Sequence, residues 1–206
     1  MKLAVFDFDS TLMDGETIDF LADELGLKSE VAVITEEAMS GRMDFFESLT
    51  TRVALLKGLP NQRVIDICKE LPLMPGAVET IAELKKMDYK IICFSGGFRV
   101  GTSPAAQKLG LHADFSNVLH HKDGVLTGLV GGDMMFDFSK GDMLQRIQTL
   151  MRVSIEDTLV CGDGANDRSM FKYAEKKIAF CAHDILRKEA NIIVDVKDLT
   201  KILDKV

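Results

Sequence analysis

Five short apolar runs, at residues 3–6, 91–94, 158–161, 178–180 and 192–194, are the feature that most limits how this chain can fold. Several lack the polar–apolar alternation of a half-solvated strand, as expected of parallel strands covered on both faces. Helical periodicity fills most of the gaps between them. Ile81 and Leu84 share a face over 77–87, and Met143, Ile147 and Leu150 do so over 142–151. Strands alternating with helices predict an α/β fold with a doubly wound parallel sheet. Such sheets bind ligands outside the carboxyl ends of their strands, where Asp7, Ser95 and Asp163 would fall.

Residues 16 to about 72 break the rhythm, with no convincing strand and several amphipathic helices. One carries Ile18, Leu21, Ala22 and Leu25, and another carries Phe45, Leu49, Val53 and Leu56. Gly26, Gly41 and Gly58-Leu59-Pro60 punctuate the stretch. We therefore expect a core made of 1–14 and 76–206, with a small helical cap at 15–75 standing over the strand ends. Residues 117–130, with Asp123-Gly124 at their centre, read as a hairpin that leaves His120 and His121 exposed. After Ser95-Gly96-Gly97-Phe98, Gly101 and Pro104 make a poor helix opening, so a late start is expected, with Ser103 as cap and Pro104 at the first position.

Composition excludes several classes of function. A formal net charge of −7 argues against non-specific nucleic-acid binding and against docking on an anionic membrane. No apolar stretch approaches the ~20 residues needed to cross a bilayer. Asp7 interrupts the first apolar segment too early for a signal peptide. The cysteines at 68, 93, 161 and 181 form no metal-binding or disulfide pattern, and a cytoplasmic location is the expectation.

The chemistry lies in two acidic strings, FDFDST at 6–11 and GDGAND at 162–167. Asp7 and Asp9 supply one carboxylate able to attack phosphorus and another able to protonate a leaving oxygen and then activate water. Asp163 and Asp167 supply the hard oxygen ligands that Mg²⁺ takes alongside water and phosphate. The GDGAND string lacks the residue order and distal Glu of a calcium loop. Ser95, Gly96 and Gly97 offer a hydroxyl and unhindered N–H groups for phosphate oxygens, and Lys140 offers a cation for phosphoryl charge. Taken singly, these residues also read as a solvated acidic loop, a turn and a surface lysine; their order along the chain argues otherwise.

In that order the segments resemble the haloacid dehalogenase superfamily of phosphatases over essentially the whole chain. The resemblance implies Asp7 as the phosphoaspartyl-forming nucleophile, Asp9 as general acid/base and Lys140 as catalytic cation. It implies Mg²⁺ on Asp7, Asp163 and the Asp9 backbone carbonyl, with Asp167 supporting the metal shell. GETID at 15–19, TEEAMSGRMDFFESL at 35–49 and TTRVALLKG at 50–58 are similar to the phosphoserine-cleaving branch of that superfamily. The implied substrate is O-phospho-L-serine, hydrolysed in the last step of serine biosynthesis. Glu16 would take its ammonium and Arg52 its carboxylate, Met39 and Phe45 would line the apolar side, and Ser95, Gly96, Gly97 and Asn166 would complete the substrate site. A monomer or homodimer is expected. Two other readings stay open: the same fold acting on another small phosphomonoester or as a phosphotransferase, and a non-catalytic phosphoacceptor module.

Overall fold

The computed structural model describes residues 1–206 and contains one seven-stranded sheet. Its centre is β1 (Lys2–Asp7), flanked in parallel by β2 (Tyr89–Phe98) and β5 (Thr158–Gly162). On the β2 side lie β3 (Ala113–Lys122), parallel, and β4 (Val125–Gly132), antiparallel. On the β5 side lie β6 (Lys176–Phe180) and β7 (Ile192–Val194), both parallel. The order β4-β3-β2-β1-β5-β6-β7 makes β1 the point from which the chain winds first one way and then the other. A crevice opens there at the carboxyl ends of the strands.

The residues of β1 show why the apolar runs do not alternate. Leu3 and Val5 pack on one face, with Leu144 and Ile147 of α7 (Ser139–Met151) and with Met170 and Phe171. Ala4 and Phe6 pack on the other, with Ile81 and Leu84 of α5 (Ala77–Lys86) and with Phe180 and Ile202. Both faces are dry, so both must be apolar. No helix is long and apolar enough to cross a membrane.

Between β1 and α5 come α1 (Thr17–Asp23), α2 (Lys28–Met39), α3 (Phe45–Leu55) and α4 (Asn61–Lys69). Their apolar faces share a separate cluster, in which Leu21, Val31, Leu49, Val53 and Val64 meet Phe98 of β2, Leu119 of β3 and Leu126 of β4. The helical stretch is thus seated partly on the β3–β4 hairpin. Leu25 departs from the expected pattern: α1 ends before it and its side chain is exposed, because the chain turns at Gly26 to begin α2.

The largest departure follows β2. The late helix start expected at Ser103 and Pro104 does not occur: α6 (Arg99–Leu109) begins directly after Phe98 and carries Pro104 inside it. Proline there removes the donor that the Val100 carbonyl would otherwise receive. Tertiary contacts offset that loss. Gly101 lies so close to α1 and the end of the helical stretch that a Cβ would sit 3.0 Å from Leu71 Cδ1 and 3.4 Å from Thr17 Cγ2. The Thr102 hydroxyl also donates to Asp114 Oδ2 on β3 at 2.8 Å. Lys140 is the second residue of α7, and Ser95-Gly96-Gly97 forms an irregular extension of β2 rather than a simple turn.

Gly101→Val places a branched side chain against Leu71 and Thr17. It is expected to cost about 1–3 kcal/mol of stability, as overpacking does, measured by urea denaturation. A variant as stable as the parent would show that α6 is not wedged at this point.

Candidate active site

A buried charge cluster lies at the crevice. Asp7 ends β1, Lys140 rises from the first turn of α7, and Asp167 closes the loop after β5, which forms a 3-10 turn (Ala165–Asp167). Lys140 Nζ donates to Asp7 Oδ1 at 2.6 Å and to Asp167 Oδ1 at 2.5 Å. The second oxygen of Asp167 accepts from the N–H groups of Asp163 (3.0 Å) and Gly164 (3.1 Å), so this side chain shapes the loop that carries Asp163. Asp7, Asp163 and Asp167 each bring an oxygen within 4.8 Å of the others, and all three are buried.

Three carboxylates against one ammonium leave an excess of negative charge in a dry site. Burial first, and then the Asp167 charge, push the Asp7 carboxyl up to about 7, although Lys140 pulls the other way. Asp163 is driven well above the usual carboxylate range by burial, then by Asp7 and Glu16. Burial alone would lower the Lys140 ammonium, but Asp167 and Asp7 outweigh it and raise its pKa. An all-oxygen donor set in this electrostatic state fits a hard divalent cation, which would return the carboxylates to their ionised forms.

Asp9 sits one turn on, fixed from two sides. Its Oδ1 accepts from the backbone N–H and the hydroxyl of Thr17, both at 2.6 Å, and its Oδ2 accepts from Ser95 Oγ at 3.2 Å. Burial raises its pKa and the Thr17 bonds oppose that rise. Gly96 and Gly97 are bare for steric reasons. A Cβ on Gly96 would run into the Phe45 ring, and one on Gly97 would lie 2.5 Å from Asp9 Oδ2.

Above these residues is a cleft with about 410 Å³ free of protein atoms, lined by Asp7, Asp9, Glu16, Ile18, Met39, Phe45, Leu49, Arg52, Gly96, Gly97, Phe98, Asp163 and Asn166. Glu16 accepts from Ser10 Oγ at 2.6 Å; burial and the Asp9 charge hold its carboxyl well above the ordinary range. Arg52 is 3% exposed yet meets no carboxylate within ion-pair distance. Its Nη1 donates to Thr35 Oγ1 (2.9 Å) and its Nε to the Ser48 carbonyl (3.3 Å). Burial pulls its pKa down, opposed by the charges of Glu16, Asp9 and Asp19. The Asn166 carboxamide oxygen is buried without a hydrogen-bond partner.

Similarity to known proteins follows the same pattern. The family model of haloacid dehalogenase-like hydrolases matches residues 1–175. The chain belongs to this hydrolase family. It is 60% identical over 203 residues to the phosphoserine phosphatase of Wolinella succinogenes, covering 98% of each chain. Its fold superimposes with a TM-score of 0.97 on a phospho-aspartyl intermediate analogue of phosphoserine phosphatase, at 47% identity over 100% of this chain and 98% of the other. A substrate-bound phosphoserine phosphatase complex matches with the same score and coverage at 46% identity.

All the residues singled out from the sequence of this hydrolase are brought together. Asp7, Asp9, Glu16, Met39, Phe45, Arg52, Gly96, Gly97, Asp163 and Asn166 line the cleft, while Ser95, Lys140 and Asp167 lie directly beneath it. His120 and His121 are exposed on β3 of the hairpin. Sequence reasoning missed Ser10, Thr17, Ile18, Leu49 and Phe98. In the sequence Ile18 and Leu49 read as helix packing alone, and Thr17 carries no signal beyond following Glu16.

Asp7, Asp9, Glu16 and Asp163 all hold protons more tightly in the folded chain than ordinary carboxyls do. The Asp7 contribution to stability is present below about pH 4 and is lost as pH rises through about 7. In EDTA the melting temperature should therefore rise as pH falls from about 8 to about 5, the four carboxyls outweighing His112, whose lowered pKa acts in the opposite sense. Added divalent cation should flatten the slope. A melting temperature that falls steadily with acid over this window in EDTA would contradict the assignment.

Proposed function

We propose that this hydrolase cleaves O-phospho-L-serine to L-serine and inorganic phosphate through an aspartyl phosphate on Asp7. The observation that carries the reading is the pairing of Arg52 and Glu16 in one cleft with Asp7. A buried guanidinium with no carboxylate of its own and a half-buried carboxylate with no cation of its own complement the two charged ends of an amino acid. The relatives named above support the same substrate. In this reading 15–75 is a cap over a core of 1–14 and 76–206, and the enzyme is cytoplasmic, monomeric or homodimeric, and completes serine synthesis.

Asp7, Asp163 and the Asp9 backbone carbonyl would hold Mg²⁺, with Asp167 supporting them through the loop it shapes. When bound, the ion neutralises phosphoryl charge and keeps Asp7 ionised. Arg52 takes the substrate carboxylate and Glu16 its ammonium, whose charge restores the ionised form of Glu16. Met39, Phe45 and Leu49 exclude water from the carbon end. The Gly96 N–H and Asn166 face the phosphate, beside Ser95 and Gly97, whose hydroxyl and N–H are engaged with Asp9 and with Ser95. Lys140, fixed by Asp167, restrains the Asp7 carboxylate for in-line attack and offsets charge on the transferring group.

An Asp7 oxygen forms the new bond to phosphorus as the bond to the serine oxygen breaks, and Asp9 gives that oxygen a proton. Serine leaves. Asp9 then takes a proton from water as the water oxygen attacks phosphorus, and the bond to Asp7 breaks to release phosphate. Thr17 and Ser95 hold Asp9 in place for both transfers.

Phosphate release from a panel of small phosphomonoesters, with and without Mg²⁺, tests the reading. Phosphoserine should be preferred, and turnover should vanish with Asp7→Asn. Asp9→Asn should slow it about 10²–10⁴-fold. Arg52→Ala should lower kcat/KM for phosphoserine about 10- to 100-fold, the worth of charge-assisted hydrogen bonds, and spare esters without a carboxylate. A preference for an ester lacking the amino-acid end would sink the substrate assignment. No turnover, with phosphate persisting on Asp7, would favour a phosphoacceptor module instead.

A further inference from the structure

The ladder between β2 and β3 is broken beside the active site. Phe94 pairs with Phe115 and Phe98 with Asn117, so Ser95, Gly96 and Gly97 stand opposite Ser116 alone. Backbone groups bulged out of a ladder must find other partners. Asn117, fully buried, supplies one: its Nδ2 donates to the Gly96 carbonyl at 3.0 Å. The same carboxamide also clasps Met134, donating to its carbonyl and accepting from its N–H, both at 3.0 Å. The orientation is forced, since two carbonyls can face only the amide nitrogen and an N–H only the oxygen.

The Gly96 carbonyl and the Gly97 N–H belong to one planar peptide, so anchoring the first aims the second. Gly97 N–H donates to Ser95 Oγ at 2.9 Å, and Ser95 Oγ donates to Asp9 Oδ2 at 3.2 Å. With its acceptor side taken by Gly97, the Ser95 hydroxyl is left to point its own proton at Asp9. We infer that Asn117 is a positioning residue for Asp9, acting through the Gly96–Gly97 peptide and the Ser95 hydroxyl. The inference rests on the role proposed above for Asp9.

Gly132 is part of the same device. It adopts φ +151°, and a Cβ there would lie 2.7 Å from both Cα and Oδ1 of Asn117. A bare residue lets the chain after β4 close over the carboxamide and bring Met134 to it.

A residue that only satisfied buried carbonyls would lower stability without acting through Ser95. Steady-state kinetics and thermal melting of Asn117→Ser, Asn117→Asp, Ser95→Ala and the double variants separate the two. The substrate is whichever ester of the panel the wild type hydrolyses best. Each Asn117 substitution should lower kcat about 10- to 100-fold, while KM stays within about threefold. In the Ser95→Ala background the same substitution should change kcat by less than about threefold, because the relay is already cut. Losses that multiply in the double variants overturn the inference, as does an unchanged kcat with a lowered melting temperature. Loss of a cooperative transition in both Asn117 variants overturns it too, making the residue one the fold itself requires. Wild-type preference for an ester other than phosphoserine sinks the substrate reading yet leaves the relay testable.

Discussion

The contact on which the rest of the site depends is the buried ammonium of Lys140 between Asp7 and Asp167. Burying such charges is costly unless the geometry is close and the remaining polar atoms are satisfied. Here the lysine donates to two carboxylates at 2.6 and 2.5 Å, and the far oxygen of Asp167 takes two backbone N–H groups. The cluster ties together the end of β1, the start of α7 and the loop after β5. None of the three segments can shift without exposing an unpaired charge. The same bonds that define the fold at this edge also hold the Asp7 carboxylate and the loop bearing Asp163.

Above that fixed floor, Asp9 joins two layers. Thr17 opens α1, the first of the four helices over the strand ends, and holds one Asp9 oxygen twice; Ser95 on β2 holds the other. The Asp9 carboxylate is therefore sensitive to how the helical stretch sits on the sheet. Arg52 and Glu16 come from that stretch, and Asp7 and Asp163 from the sheet, so the cleft exists only where the two meet. The separate apolar cluster beneath the helices, shared with Phe98, Leu119 and Leu126, gives the joint its stability.

Much of this was legible in advance because it depends on local rules. Unalternating apolar runs follow from strands covered on both faces, and all five runs became strands within a residue or a few of the expected limits. Carboxylates after strand ends reach the crevice by topology alone. The opening of α6 departs from the intrinsic propensities of proline and glycine because tertiary contacts override them there. Gly101 is bare to admit Leu71 and Thr17, residues 30 and 84 positions away along the chain, and no local pattern encodes that neighbour.

Residue order alone is enough for the sheet class, the helical stretch after the first strand and the identity of the charged groups at the strand ends. Periodicity and residue chemistry act within a few positions of each other, so they survive in a linear string. Long-range packing is what buries Lys140 instead of leaving it solvated, leaves Arg52 without a carboxylate of its own, and lets Asn117 reach Gly96 across a broken ladder. Those outcomes depend on distances between segments far apart in the chain, set by how helices and strands pack once the core has formed.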